Sequence, residues 1–305
     1  MTTWWIGAYA PIHTPFSSIS MLLFLYMHRS LGREVFIIMF KATVVLVTIV
    51  VIIVAVGALY DVKSIAGDGT CNVAVLPIEG TILPYMGISD EPLIVTPSMI
   101  NSFMDSVEKE DGIEAVLVEI NSPGGTPVAA QRIAERLHSS TLPVVGLIGD
   151  MGASGGYMIA AATNYLIASP MSDVGSIGVT MSYVENSKQN EDSGLTYVQL
   201  TTGKFKDSGT PERAITDEER EMFQKDLDLV HNEFVNMVAT YRNKPVEDIK
   251  KLADGSSMVG VRALENGLVD KLGGRAEAKE ALAKILGKDV SDISFCEYQA
   301  PIISF

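Results

Sequence analysis

From Ala42 to Leu59 the chain reads ATVVLVTIVVIIVAVGAL, a run without a charged residue. No other stretch constrains the fold as much, because a helix that is apolar all round has no side to show to water. Extended back over Phe36–Phe40, the run reaches the roughly 20 residues a bilayer-crossing helix needs. A core helix of this length would keep a polar stripe, so the pattern predicts a transmembrane helix over 35–60. Arg29, Arg33 and Lys41 stand on its N-terminal side, and Asp61, Lys63 and Asp68 follow it. The excess of basic residues then keeps the N-terminus in the cytoplasm and sends the C-terminal bulk outward. The expected location is the cytoplasmic (inner) membrane, single-pass, with the following domain extracytoplasmic. The run is too long and too far from Met1 for a cleaved leader.

Residues 1–34 form the segment before the span. Residues 1–28 of it carry no Asp, Glu, Lys or Arg, and Pro11 and Pro15 interrupt any simple helix. An interfacial segment is the preferred reading; were it to span, the large domain would keep its placement.

Beyond the span the chain is long enough for one sizeable domain. The expected division is a linker over 61–71, a domain over 72–290 and a tail over 291–305. Asn72–Ile78 and Ala115–Ile120 read as strands, Pro97–Glu108 and Val128–Leu137 as helices, and Pro143–Ile148 as a strand leading into a helix over Gly155–Thr163. Ser122-Pro-Gly-Gly125 reads as a turn, and Tyr165–Ala168 and Ser176–Val179 as short strands. Thr216-Asp-Glu-Glu219 is a capping-box signature opening a helix to Tyr241. Strands alternating with helices imply parallel pairing and an α/β core.

The net charge of −14 excludes a nucleic-acid surface, which has to be basic. Two cysteines, Cys71 and Cys296, have no metal-site spacing, and whether they pair stays open. No phosphate-binding loop, dinucleotide fingerprint or His-Glu-x-x-His occurs, so no cofactor and no metal is expected.

Nucleophilic chemistry has one prominent candidate. Ser154 stands in Gly152-Ala-Ser-Gly-Gly156, read as a near relative of the Gly-x-Ser-x-Gly elbow, with only small neighbours to crowd a substrate. His13 and His28 precede the span, and His138 and His231 lie in helical patterns away from it, so a lysine is the better base. Lys204 and Lys206 both qualify; in an extended segment they share a face, and spacing does not choose between them. A lysine base must lose its proton first, which burial or nearby donors favour. Oxyanion donors are available from the N–H of Gly155, at a helix start, and from the Gly124-Gly125 backbone.

Four motifs occur in order: Asn121-Ser-Pro-Gly-Gly125, Ala153-Ser-Gly-Gly-Tyr157, Gly175-Ser-Ile-Gly-Val179 and Gly203-Lys-Phe-Lys-Asp207. With Ala253-Asp-Gly255 and Gly267-Leu-Val-Asp-Lys-Leu-Gly-Gly274, the region from about 72 to 275 resembles the signal peptide peptidase (SppA) family of membrane-bound Ser/Lys serine proteases. The resemblance implies an α/β fold like that of Clp protease and crotonase, with a core of repeated ββα units. It implies Ser154 as nucleophile, Lys206 as general base, Ser176 as the hydroxyl orienting that lysine, and backbone N–H groups of Gly125 and Gly155 as the oxyanion hole. Ring or dome homo-oligomers follow from it too, with serine and lysine in some members coming from neighbouring subunits. The implied substrates are remnant signal peptides and other short hydrophobic peptides, and the implied surroundings are membrane lipid. An inactive anchored scaffold of the same fold and a non-peptidase acyl hydrolase are the competing readings.

Overall fold

The structure, a computed structural model, describes residues 37–52, 71–86 and 93–297. Two compact units separate in it, Met1–Ala66 and Gly67–Phe305.

In the first unit, residues 37–52 form a helix, α1, whose Val, Ile and Leu side chains are exposed. Its two threonines turn their hydroxyls back on the helix, Thr43 donating to the Met39 carbonyl and Thr48 to that of Val44. Each polar group is thereby satisfied without water. Among the described residues no helix is long and apolar enough to cross a membrane. The rest of the expected span, 35–36 and 53–60, lies outside them, as does the expected interfacial segment.

The second unit is built on a parallel sheet. Its strands are β1 (Val73–Ile82), β2 (Ile94–Val95), β3 (Ala115–Gly125), β4 (Val144–Ala153), β5 (Tyr165–Ala168) and β8 (Lys271–Leu272), in the order β2-β1-β3-β4-β5-β8. Helices α2 (Pro97–Val107), α3 (Pro127–His138) and α4 (Gly155–Ala161) connect successive strands, which is what parallel pairing requires. The strands are apolar on both sides because both faces are covered. Ala74, Leu76, Ile78, Val116, Val118 and Ile120 pack with α2, α3, α4 and the long helix α6 (Asp217–Tyr241). Their neighbours one residue away, Val73, Val75, Ala115 and Leu117, face α9 (Arg275–Leu286) instead, together with Val145 and Leu147 of β4. This period of two fixes the register.

Two short strands branch from the sheet beside Ser154. β6 (Asp173–Gly175) pairs parallel with the end of β4, and β7 (Ser257–Val259) pairs antiparallel with β6. Between β6 and α6 the chain makes a long excursion whose one helix, α5 (Ser187–Asp192), buries no residue. Helices α7 (Val246–Lys250) and α8 (Gly260–Glu265) complete the order with a 3-10 turn at Val290–Asp292.

Several local expectations change. Ser122-Pro-Gly-Gly125 is no turn but the end of β3, held to β1 by the pairs Thr81↔Gly124 and Ile82↔Gly125. The strand expected at Ser176–Val179 sits earlier, at Asp173–Gly175, because that stretch is what runs beside β4. Phe295–Glu297, assigned to the tail by sequence, forms a ninth strand, β9, against β1. There Cys296 lies opposite Ala74 and forms a disulfide with Cys71, the two Cα atoms 5.3 Å apart.

Candidate active site

Ser154 lies where β4 turns into α4. Its backbone has φ 52° and ψ −124°, a conformation that costs a non-glycine residue of order 1–3 kcal/mol. The turn is pinned on both sides: the Ser154 N–H donates to the Gly175 carbonyl at 2.8 Å, and its carbonyl accepts the Met158 N–H at 3.0 Å. A strained strand-to-helix turn that lifts a serine off the sheet is the nucleophile elbow. Gly152-Ala-Ser-Gly-Gly156 therefore matches that motif in shape as well as in letters, more closely than the sequence reading granted.

The end of β3 passes directly over this turn. A Cβ on Gly124 would lie 2.7 Å from the Gly155 nitrogen and 2.9 Å from the Ser154 Cβ. One on Gly155 would lie 3.3 Å from the Gly125 nitrogen. Side chains at either place would separate the two backbones, so the glycines let the end of β3 lie against the Ser154–Gly155 turn. The Gly155 N–H belongs to a first helical turn, for which the helix has no carbonyl of its own. Beneath them the buried Ser122 hydroxyl donates to the Gly80 carbonyl at 2.7 Å and accepts the Gly124 N–H at 3.1 Å, fixing the strand end.

Ser154, Gly125, Gly155 and Ser176 all line one cleft of about 430 Å³, a volume in the range of ligand sites. Ser176 is also held with positive φ, 50°; its N–H donates to the Ser256 carbonyl at 3.1 Å and its hydroxyl to the Gly255 carbonyl at 3.2 Å. That leaves the oxygen's lone pairs to accept a further donor. Four of the five residues singled out by sequence thus share the cleft.

Lys206 is not among the lining residues. It is exposed on the excursion before α6, where residues 203–210 wind through successive turns rather than extend. The two lysines therefore do not share a strand face. Lys204 pairs with Glu218 at 2.7 Å, whereas Lys206 has no ion pair among the described residues.

This lysine loop is docked on the first turn of α6. Arg213 meets Glu219 through two hydrogen bonds, 2.6 and 2.9 Å, and its Nη2 donates to the Asp207 carbonyl at 3.3 Å. Glu219 closes the expected capping box by accepting the Thr216 N–H at 2.9 Å. The Arg213 guanidinium, helped by that N–H, holds the buried Glu219 carboxyl well below the usual carboxylate range. A depressed folded value stabilises the fold above the unfolded value of about 4 and is lost only as pH falls through the folded one. The clamp therefore persists through mildly acidic conditions.

Further along, Gln224, Leu227, Asp228, Val230, His231 and Phe234 of the same helix form a wall of the cleft. From Glu219 to His231 the helix rises about 18 Å. The capping box predicts this helix but not the face it turns to the cleft. The signal was present in the spacing of Leu227, Val230, His231 and Phe234, which puts them on one face.

The profile of Peptidase family S49 matches residues 136–290. A Methanocaldococcus jannaschii protein named as a protease is 34% identical over 65% of this chain and 63% of its own length. A Synechocystis protein also named as a protease is 34% identical over 63% of this chain and 70% of its own. An Enterococcus faecium protein named as signal peptide peptidase SppA is 32% identical over 66% of this chain and 59% of its own. The matched region thus spans 63% and 59% of the archaeal and enterococcal relatives. With an elbow serine where a strand of a parallel α/β core turns into a helix, and with these matches, the chain belongs to peptidase family S49, the signal peptide peptidase SppA family.

Proposed function

We propose that the protein is a membrane-anchored serine endopeptidase that cleaves short hydrophobic peptides, remnant signal peptides among them, with Ser154 and Lys206 as its dyad. The observation that carries this reading is the elbow serine beside the Gly125 and Gly155 N–H groups. Ser154 Oγ attacks the scissile carbonyl while Lys206 Nζ takes its proton, and the two N–H groups receive the developing oxyanion. Collapse of the tetrahedral species expels the amine, which recovers the proton from the lysine. Water activated by the same lysine then hydrolyses the acyl-enzyme. Ser176 accepts a hydrogen bond from the ammonium and orients it. Pro127, Met158, Val179, Leu227 and Phe234 give the cleft apolar walls suited to aliphatic substrate side chains.

Because Lys206 stands apart from the cleft of its own chain, the dyad is completed between neighbouring copies in a ring or dome. Anchoring rests on the apolar run around α1, with the N-terminus cytoplasmic and the peptidase domain outside. A Cys71–Cys296 disulfide fits an oxidising compartment.

The test uses the full chain in detergent or lipid. Ser154→Ala and Lys206→Ala should each abolish peptide cleavage, and Lys204→Ala should leave it near wild type. Mixed assemblies of the two inactive variants should regain activity, since some interfaces then pair an intact serine with an intact lysine. Cleavage retained by either alanine variant would sink the dyad; no recovery on mixing would sink its sharing.

A further inference from the structure

We propose that Tyr197 and Arg213 are positioning residues for the lysine base: they engage the carboxylate of Asp207 and so keep it from pairing with Lys206, its neighbour in the chain. This inference rests on the reading of Lys206 as the base.

A lysine that accepts a proton has to be neutral for part of the time, and a carboxylate on its ammonium opposes that. Gly203-Lys-Phe-Lys-Asp207 places such a carboxylate directly beside Lys206. The two residues lie in a run of turns, with Lys206 N–H on the Gly203 carbonyl at 3.2 Å and Ser208 N–H on that of Phe205 at 3.2 Å. The chain here lacks the alternation that would send neighbouring side chains to opposite faces, as in a strand. Without other partners, Asp207 would be the nearest counter-ion for the amine.

The structure gives Asp207 other partners. The Tyr197 hydroxyl lies 2.9 Å from one carboxylate oxygen and 2.8 Å from the other. Arg213 Nε stands 3.9 Å from Oδ2, and the same guanidinium donates to the Asp207 carbonyl. Donation to Asp207 raises the Tyr197 phenol above its ordinary value, so the tyrosine stays a donor at working pH.

The other charged groups around Lys206 are also spoken for or turned outward. In the loop, Lys204 pairs with Glu218 of α6, and Glu212 accepts from the Asn190 amide. From α6, Glu219 is taken by Arg213, and Asp217 is exposed at the helix start. Asp207, Glu212, Glu218 and Glu219 each have a partner other than Lys206. The arrangement suits a base and would be wasteful for a lysine that served only as a surface charge.

The pH profile of kcat/KM for a fluorogenic peptide tests this on the full-length protein. Tyr197→Phe removes one hydroxyl and should lower kcat/KM about tenfold at pH 7, with recovery to within about twofold at pH 9. Tyr197→Phe/Asp207→Asn removes the released charge as well and should restore the wild-type profile. Arg213→Lys should shift the acid limb in the same direction as Tyr197→Phe. A merely structural role would lower activity at all pH values alike, and that result in Tyr197→Phe would overturn the proposal. So would an alkaline shift that persists in the double variant. Cleavage retained by Lys206→Ala would remove both the dyad and this inference; cleavage lost there with an unshifted Tyr197→Phe profile would remove the inference alone.

Discussion

The two halves of the proposed catalytic machinery are built by opposite means. Ser154 stands at a crossing of β3, β4, β6 and α4, where backbone hydrogen bonds and glycine contacts fix every neighbour. Lys206 stands on a long excursion with exposed Tyr183, Val184, Leu195, Val198 and Leu200, tied down through side chains to the start of α6. Precision at the serine comes from the core and costs strain that the core can hold. Placement of the lysine comes from a few polar contacts and from whatever covers that apolar excursion. The serine is held rigid by its own chain's core, whereas Lys206 is exposed on an outlying segment.

Substitutions in the two halves should therefore differ in kind. The largest effect is expected at Gly125, where an alanine Cβ would sit 1.9 Å from the Ile82 carbonyl oxygen. Gly125→Ala should destabilise the domain by roughly 3–5 kcal/mol and remove cleavage, read by thermal melting and peptide assay. A mild loss of activity with an unchanged melt would show that β3 yields more easily than its pairing with β1 implies.

Next comes the disulfide, which closes a separation of 225 residues. Chain entropy alone gives about 5 kcal/mol for such a loop, and native bridges deliver about 2–4. Cys71→Ser/Cys296→Ser should lower the denaturation midpoint accordingly while leaving kcat/KM near wild type, since β9 is remote from the cleft. Equal midpoints in oxidised and reduced protein would contradict this.

The smallest effect has the opposite sign. Ser154→Gly removes the penalty of φ 52° and should stabilise the fold by about 1 kcal/mol even as it abolishes cleavage. An inactive variant no more stable than wild type would mean that the elbow is less strained than its dihedrals suggest.

The serine half was largely legible in the sequence, and the lysine half was not. Ser154, Gly125, Gly155 and Ser176 sit in short motifs whose glycines have a local meaning, and the alternating strands and helices imposed parallel pairing. What the motifs hid was β-structure: Ser-Pro-Gly-Gly looked like a turn because those residues favour turns, yet pairing with β1 keeps them extended. Spacing could not choose between Lys204 and Lys206, because on an extended segment the two share a face, and the shared face itself is absent because the segment turns. The partners that separate them, Glu218 for Lys204 and the Tyr197–Asp207–Arg213 contacts beside Lys206, are ten or so residues distant in one case and set by tertiary packing in all. The cleft wall on α6 lay within reach of a helical-face reading.

The Cys71–Cys296 bridge also makes a covalent ring of nearly the whole peptidase domain, with the exposed excursion as part of its circumference. A single cut anywhere on that excursion would open the ring without dividing the molecule. Both pieces would stay fastened to each other and, through Cys71, to the apolar N-terminal helix. A nick there becomes a local injury and not the loss of half the domain.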